Sequence, residues 1–416
     1  MSHISNPRHR PSTLAALAIS LHGALVASAQ DFTTQVGEAI PSALYGPFSF
    51  PDSAELTRAL GMEDGIKGGF SYQLGVDSTY DSNFFLEEEN TDSELITLIS
   101  PSFVYITDPE GGAPFSINAN YRPLIRTYLE EDDLDGINHS GGLNAKWVGA
   151  KTVIEGNARY SELSGTDRLT NEFVTGRLLS LGGSGSYQIA PRTLISVSGT
   201  TVSSDYEDSN SVGSDIHTGR IGALWAATER LRVGPALRYI RSESDNTGSI
   251  DTWAGFLEGQ YRVAQRIQLN ASLGLDYTSA GREGGSGEFG LAGDLSAAYA
   301  IDERWSWQNS IRYVTVPSPT ERNYIINNFG LSSQVTRQLL RASVSLGADM
   351  NVSDYERIDD EISALDTETN FGLYSNYSRQ LFTERLDFQA RARWAINDGR
   401  EDWSQFQLSA GLTLSF

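Results

Sequence analysis

The chain lacks cysteine altogether and has only 3 methionines among its 416 residues. The absence of cysteine excludes a disulfide scaffold, a thiolate metal site and a thiol nucleophile. Basic residues are also scarce, with 31 Lys and Arg against 53 Asp and Glu, so the formal net charge is -22. Because this charge repels phosphate backbones, we expect no nucleic-acid partner.

Long apolar runs are missing from most of the chain. After residue 29, no stretch without Asp, Glu, Lys or Arg exceeds 14 residues, as at 178–191, which is rich in Ser and Gly. A membrane-spanning helix needs about 20 apolar residues, so we predict none beyond residue 29. The chain does contain 40 Gly, 18 Tyr and 17 Phe, a composition that favours many short strands. A closed β-barrel crosses a membrane with such strands.

The first 29 residues have a different character. Arg8 and Arg10 precede an apolar stretch at 14–26, which is followed by the small residues Ala27-Ser28-Ala29. This order is typical of a secretory signal peptide and predicts cleavage after Ala29. Cleavage would remove two arginines and no acid, leaving a mature charge of -24.

Several segments alternate strictly between apolar and polar residues. In 406–416 every even position is apolar and every odd position is polar or Gly. The same pattern runs through 267–277 and 340–352, and through 386–396 with the exception of Ala395. Successive side chains of a strand point to opposite faces, so each segment would present one apolar and one polar face. A soluble β-sandwich would alternate as well, so the connections must decide between the two architectures.

Connections of two kinds alternate along the chain. Short turns are predicted at 190–193, 227–230, 263–266, 301–304 and 336–339, and longer acidic connections at 87–89, 130–135, 205–208 and 353–366. Bacterial outer-membrane barrels have short periplasmic turns and longer extracellular loops. We therefore predict an all-β fold, a transmembrane antiparallel up-and-down β-barrel of about 18 strands, with 16 as the alternative count.

The barrel is predicted to occupy 69–416, with its first strand at 70–81 and its last at 403–416. Aromatic residues near the predicted strand ends suit two interfacial girdles. Phe416, on the apolar phase of the last strand, is predicted to be a membrane-assembly signal for the outer-membrane assembly machinery. Residues 30–68 lack the alternation and form a predicted irregular N-terminal leader, which could be a lumen plug, a periplasmic arm or a disordered segment.

One hairpin carries a family resemblance. Tyr80-Asp81-Ser82-Asn83-Phe84-Phe85, an acidic loop and Leu98-Ile99-Ser100-Pro101-Ser102-Phe103 follow one another. This order resembles the opening of the second type of β-barrel porin family. The resemblance would cover 69–416 and implies an outer-membrane barrel that accompanies exopolysaccharide synthesis and export. It implies no substrate.

The sequence offers little for catalysis. The mature chain has only two histidines, His139 and His217, with Ser140 and Asp215 near them. A Ser/His hydrolase needs a spaced nucleophile, base and acid, and no such spacing or G-x-S-x-G elbow occurs. We predict that the chain is not an enzyme, that the two histidines are rim residues, and that no cofactor or metal is bound. The acidic run at 130–135 is interpreted as solvated charge, with bridging of lipopolysaccharide through divalent ions as a weak role.

Arginines recur on the polar phase of the predicted strands. The candidate pore-lining residues are Arg122, Arg126, Arg159, Arg177, Arg220, Arg238, Arg312, Arg341, Arg391 and Arg393. Carboxylates on the same phase are Glu155, Asp276, Asp294, Asp349 and Asp387. The arginines could form a cationic ladder that selects anionic solutes, or they could pair with the carboxylates and stiffen the barrel.

These observations predict a porin-like channel in the bacterial outer membrane, serving passive diffusion of solutes or associated with exopolysaccharide export. The alternative is a non-conducting structural barrel that docks surface-polysaccharide assembly partners. The expected partners are outer-membrane lipid and lipopolysaccharide, the outer-membrane assembly machinery and polysaccharide-export components. A secreted soluble β-protein is a third hypothesis.

Overall fold

A single antiparallel sheet closes on itself in the computed structural model. The described residues are 69–89, 91–107, 114–166, 173–206, 213–244, 248–280, 287–317, 324–357, 367–382, 385–399 and 402–416. The predicted signal peptide and leader, 1–29 and 30–68, lie outside them. Within the described residues, no helix is long and apolar enough to cross a membrane.

The described sheet has eighteen strands, which confirms the predicted fold. They are β1 (Gly69–Asp81), β2 (Glu94–Ile106), β3 (Phe115–Tyr128), β4 (Gly136–Val148), β5 (Thr152–Thr166), β6 (Phe173–Ala190), β7 (Thr193–Tyr206), β8 (Ser214–Ala226), β9 (Leu231–Ser244), β10 (Gly248–Ala264), β11 (Ile267–Ala280), β12 (Glu288–Ala300), β13 (Trp305–Pro317), β14 (Tyr324–Gln338), β15 (Ala342–Arg357), β16 (Glu368–Gln380), β17 (Leu386–Asp398) and β18 (Trp403–Ser415). Each strand pairs with its sequence neighbours, and the sheet closes where β1 pairs with β18, from Gln73 opposite Ser415 to Asp81 opposite Gln407.

The two faces of the closed sheet differ sharply in polarity. On β18, Phe406, Leu408 and Leu412 are exposed on the outer face, whereas Gln405 and Gln407 point inward and are buried. Exposed apolar residues occupy alternate positions of the other strands as well, because side chains of a strand alternate between faces. The inner face is polar over most of its height, with buried apolar residues such as Val202, Ile216 and Ile240 towards the end away from Gly69. An apolar exterior and a polar interior are what a lipid-spanning barrel requires.

Exposed aromatic side chains form two belts on the outer face. The belt at one end contains Phe70, Phe115, Trp147, Tyr187, Trp225, Tyr261, Tyr299 and Trp305, and the belt at the other end contains Tyr80, Tyr160, Trp253, Tyr277, Phe289, Tyr313, Trp394 and Phe406. On β10, Trp253 and Tyr261 are eight residues apart, or roughly 26 Å along the strand at ~3.3 Å per residue. A strand tilt of about 35–45° reduces this separation to roughly 20 Å along the barrel axis, comparable with the apolar band of about 25 Å in outer-membrane barrels.

Short turns lie at the end of the barrel that holds both Gly69 and Phe416. Seven of them have between two and five residues, and each ends on a basic residue immediately before the next strand. These residues are Lys151, Arg192, Arg230, Arg266, Arg304, Arg341 and Arg385. The carbonyl oxygen of each accepts a backbone N–H from the end of the adjoining strand, at 2.7 to 3.0 Å. The connection 107–114 at this end is longer.

Two predicted connections are corrected by the strand bounds. The turn predicted at 336–339 lies at 339–341, because β14 continues to Gln338 in register with Ser343. The loop predicted to begin at residue 353 begins only after Arg357, because β15 and β14 remain paired as far as Tyr324 opposite Arg357. Both stretches were predicted to be loops because they contain many polar residues. Strand ends that extend beyond the lipid also contain polar residues, so polarity alone does not distinguish them from loops.

Leu86, in the connection between β1 and β2, has a φ of 58°. This value lies in the left-handed region, which residues other than Gly rarely adopt. This conformation costs about 1–2 kcal/mol for an L-residue. The side chain is fully buried, and burial of a leucine contributes about 1.5–3 kcal/mol. Packing of the side chain therefore offsets the backbone strain.

Close approach of two strands requires a glycine on β9. A Cβ at Gly234 would overlap the backbone carbonyl oxygen of Ala223 on β8, whereas a Cβ at Gly219 would meet nothing within 4 Å. We predict that Gly234→Ala lowers the free energy of unfolding by about 1–3 kcal/mol, the usual cost of overpacking. Gly219→Ala is the matched control and should unfold like the parent protein. Denaturant titration in lipid vesicles measures both, and equal midpoints for the two variants would contradict the prediction.

Candidate functional site

Eight of the ten candidate arginines lie on the inward phase of their strands, opposite the exposed apolar side chains. They are Arg122, Arg126, Arg159, Arg220, Arg238, Arg312, Arg391 and Arg393. Several reach over an intervening strand: Arg126 on β3 donates to Ser164 on β5, and Arg393 on β17 donates to Asp349 on β15. Such contacts are favoured on the concave face of a curved sheet, which is the lumen wall.

The remaining two candidates lie elsewhere. Arg177 on β6 lies opposite Glu162 in register and shares the outer phase of Leu179 and Leu181, which are exposed. The adjacent leucines 178 and 179 made the phase ambiguous in the sequence. Arg341 belongs to the short turn before β15 and is exposed. The apolar residues 339 and 340 had extended the alternating pattern beyond the true start of the strand.

In the described part of the barrel, ion pairs connect inward-facing side chains of different strands. Arg220 on β8 pairs with Glu258 on β10. Arg393 Nη2 lies 3.3 Å from Asp349 Oδ2, and Lys146 Nζ lies 2.9 Å from Glu155 Oε1. Glu258 and Lys146 were not among the pore-lining residues predicted from the sequence. Both nevertheless lie on the polar phase of strands that alternate between apolar and polar residues. Each pair ties two strands together and lowers the local net charge.

Other inward arginines have neutral partners. Arg122 Nη2 donates to Ser100 Oγ at 3.0 Å, and Arg391 Nη2 donates to Gln389 Oε1 at 2.7 Å. Asp77 on β1 lies within electrostatic range of both arginines. The guanidinium of Arg238 lies 4.9 Å from the centroid of the Phe256 ring. These partners orient the guanidinium groups, and Asp276 on β11 lies within electrostatic range of Arg238.

Arg159 differs from the other inward arginines. It is exposed and has no hydrogen bond or ion pair among the residues that the structure describes. An arginine without a partner keeps its full charge and its five donors for a solute. The lumen wall therefore combines paired charges, as the stiffening hypothesis predicts, with an unpaired cation, as the ladder hypothesis predicts.

The histidines do not form a catalytic group. His139 Nδ1 lies 2.8 Å from Tyr121 Oη on the outer phase. Its sequence neighbour Ser140 is on the inward phase, where its hydroxyl donates to the Arg122 carbonyl oxygen. His217 Nδ1 lies 3.1 Å from Thr201 Oγ1, also on the outer phase. A Ser/His hydrolase needs its nucleophile and base in contact, and here the adjacent pair faces opposite sides of the sheet.

The acidic run at 130–135 lies in the β3–β4 connection. Glu94, a buried carboxylate at the start of β2, accepts backbone N–H groups from Leu129 and Glu131 at 2.7 and 3.0 Å. Asp132 and Asp133 are exposed. In the described part of the chain, no three His, Asp or Glu side chains are grouped to hold a metal ion. Glu94 thus holds the loop through backbone N–H groups, and Asp135 Oδ1 accepts the Tyr128 N–H at 2.7 Å.

No protein-family model matches the chain, and no curated protein matches it in sequence. The fold is similar to several solved structures, one of which is of the outer membrane protein OpdK. They include OpdK of Pseudomonas aeruginosa (13% identity, TM-score 0.45), OpdQ of the same organism (11% identity, TM-score 0.47) and OccAB4 of Acinetobacter baumannii (10% identity, TM-score 0.46). Each comparison covers 84% of this chain and 99% of the other chain. Scores below 0.5 at such identities do not transfer a function. The family suggested by the Tyr80–Phe85 hairpin is not shown by these comparisons.

Proposed function

We propose that the chain is a porin-like channel of the bacterial outer membrane that passes solutes through the barrel by passive diffusion. The observation that carries the proposal is the closed eighteen-stranded barrel with an apolar exterior and an inward face of charged and polar side chains. A barrel of this strand number is wide enough to enclose water. Arg159 and the paired charges of Arg220 and Arg393 would then line the path.

The charge distribution supports one orientation. The connections at the end opposite the short turns hold 22 acidic and 4 basic residues, a net charge of -18. Those at the short-turn end hold 6 acidic and 7 basic residues. We place the acidic loops outside the cell, where divalent ions can bridge them to lipopolysaccharide, and the short turns in the periplasm.

The alternative, a non-conducting barrel that docks surface-polysaccharide assembly partners, would need a periplasmic docking face for those partners. No contact among the described residues favours this alternative over a channel. Absence of current in the conductance experiment would support it.

Conductance tests the channel directly. We expect the refolded protein to give stable current steps in planar bilayers, because charged side chains keep the inner wall hydrated. A variant without residues 30–68 should conduct at least as well. The control is heat-denatured protein added at the same concentration. Silence from both folded forms would overturn the proposal.

Ion selectivity tests the role of Arg159. One unit charge ~8 Å from a passing ion contributes about 0.5 kcal/mol in water. Arg159→Gln should therefore lower the anion-to-cation permeability ratio roughly twofold, measured as a shift of the reversal potential in a salt gradient. The matched control is Arg177→Gln, which removes the same charge from the outer face. An equal shift in both variants would exclude a local effect in the lumen.

Orientation can be tested by labelling, because the chain has no cysteine. Asp133→Cys, in the β3–β4 connection, should react with a membrane-impermeant maleimide on intact cells. Glu303→Cys, in the turn before β13, should react only after the outer membrane is permeabilised. Both parent side chains are exposed, so access alone decides the result. The reverse pattern would invert the orientation.

A further inference from the structure

Two of the short turns carry strongly exposed apolar side chains. Leu340, in the turn 339–341, is 100% exposed, and Phe382, in the connection between β16 and β17, is 94% exposed. These are the largest exposed fractions among the large apolar residues that the structure describes. Leu339 is also exposed, whereas the other five short turns contain no leucine or phenylalanine. The three residues form a surface, the turn patch, in one sector of the short-turn end.

The two turns of the turn patch are neighbours in the sheet. β15 pairs with β16 from Ala342 opposite Arg379. Just beyond this pair, the Gln380 N–H donates to the Arg341 carbonyl oxygen at 3.0 Å. Leu340 therefore precedes, and Leu381 follows, residues that are bonded to each other. Because the turns adjoin, their apolar side chains share one surface, and a shared apolar surface of this kind marks an interaction site more often than a single exposed residue does.

Arginines surround the turn patch. Arg341 and Arg385 end the two turns, and Arg379 lies near the end of β16. All three are exposed, and none has an ion pair with another residue that the structure describes. Arg337 on β14 is exposed as well, with its guanidinium 5.1 Å from the centroid of the Trp305 ring. Complementary charge guides association, so this sector favours an occupant that is both apolar and acidic.

The chain itself contains a segment of that chemistry. Residues 30–68, which precede Gly69, include 6 acidic and 2 basic residues, so their net charge is 2 - 6 = -4. In the stretch 52–64, apolar residues lie among acidic ones: Leu56, Leu60 and Met62 among Asp52, Glu55, Glu63 and Asp64. The stretch thus offers apolar side chains for the leucines and the phenylalanine of the turn patch, and carboxylates for the arginines around it.

The position of Gly69 brings this stretch within reach. Gly69 begins β1 at the short-turn end, and β18 and β17 separate β1 from the connection that holds Phe382. At ~4.8 Å per strand, Phe382 lies about 12 Å and Leu340 about 22 Å along the rim from Gly69. Residues 63–68 span up to roughly 20 Å when extended. A segment that ends at residue 62 can therefore cover the turn patch.

We propose that residues 52–64 dock on the turn patch as an arm of the barrel, with their apolar side chains against Leu340 and Phe382 and their carboxylates beside Arg341, Arg379 and Arg385. The arm removes the most exposed apolar side chains from water. It lies on the rim of β14 to β17 and leaves the path through the barrel open. This contact goes beyond the proposed channel, because it does not depend on the passage of any solute.

Cross-linking tests the docked position, because the chain has no cysteine. A short bis-maleimide should link Leu60→Cys to Leu340→Cys within one chain in vesicles. The matched control is Leu60→Cys with Glu229→Cys, since Glu229 is exposed in the β8–β9 turn on the far side of the same rim. We expect at least about fivefold more linking in the first pair, because docking raises the effective concentration of one thiol near the other.

Three results of this experiment would overturn the arm. Equal yields in the two pairs would show a segment without a fixed position. Links between two chains would assign the turn patch to a second copy of the protein. More efficient linking of Leu60→Cys to Ser345→Cys, on the inward phase of β15, would place the segment in the lumen.

Charge reversal tests the role of the arginines. In the Leu60→Cys, Leu340→Cys protein, the further change Arg341→Glu should lower the linking yield roughly twofold or more, because like charges then face each other. Reversal of the partner charges in the same chain, by Glu63→Arg and Asp64→Arg, should restore the yield. The control Arg192→Glu reverses a turn charge away from the turn patch and should change nothing. A loss without rescue, or no loss, would overturn the charge pairing and with it the proposal.

Accessibility distinguishes the arm from lipid as the cover of the turn patch. Leu340→Cys should react with a water-soluble maleimide roughly threefold or more faster in a variant without residues 30–68, because the arm shields the thiol in the full chain. Glu303→Cys, in the turn before β13, is the control and should react alike in both forms. Heat-modifiable migration on gels identifies the folded barrel in each sample. Equal protection of Leu340→Cys with and without the segment would assign the turn patch to lipid and overturn the arm.

Discussion

Pairing of the backbone hydrogen-bonding groups is the constraint on which the structure depends. In lipid, each unpaired N–H or C=O costs several kcal/mol, so a sheet can span a membrane only without open edges. The pairing of β1 with β18 removes the last two edges. The ladder still has gaps at proline, as around Pro101 and Pro123, which face each other between β2 and β3. A side-chain hydrogen bond connects the two strands at this gap, where Arg122 donates to the Ser100 hydroxyl.

Closure also decides where charge can go. Once the outer phase must be apolar, every charged side chain at membrane depth is directed to the lumen, where water and other side chains can solvate it. This is how an acidic chain of negative mean hydropathy can span a membrane. It also explains why oppositely charged side chains two strands apart meet on the inner face, as Arg393 meets Asp349 and Arg220 meets Glu258.

The sequence predicted the strands well because each one repeats a two-residue period that burial enforces on both faces. The predicted inward position was wrong for Arg177 and Arg341, where the two-residue period is interrupted. Two adjacent leucines follow Arg177, and two apolar turn residues precede Arg341. The ion pairs could not be predicted, because they depend on the register between strands. Alternation shows which face a residue occupies but not which residue of a neighbouring strand lies beside it. The conformation of the β1–β2 connection was not predicted either, since Asn83 acts through contacts with β18, more than 300 residues further along the chain. The short Asp81–Phe85 motif marked the region but not its conformation.

The even number of strands places Gly69 and Phe416 at the same end of the barrel, where the Phe416 N–H donates to the Tyr72 carbonyl oxygen. This fixes how such a chain can change in length. Loss or gain of a single strand would carry the final aromatic residue to the opposite side of the membrane and would make the closing pair parallel. Loss or gain of a whole hairpin preserves both. Changes by whole hairpins therefore alter the width of the barrel in steps of two strands and keep both features.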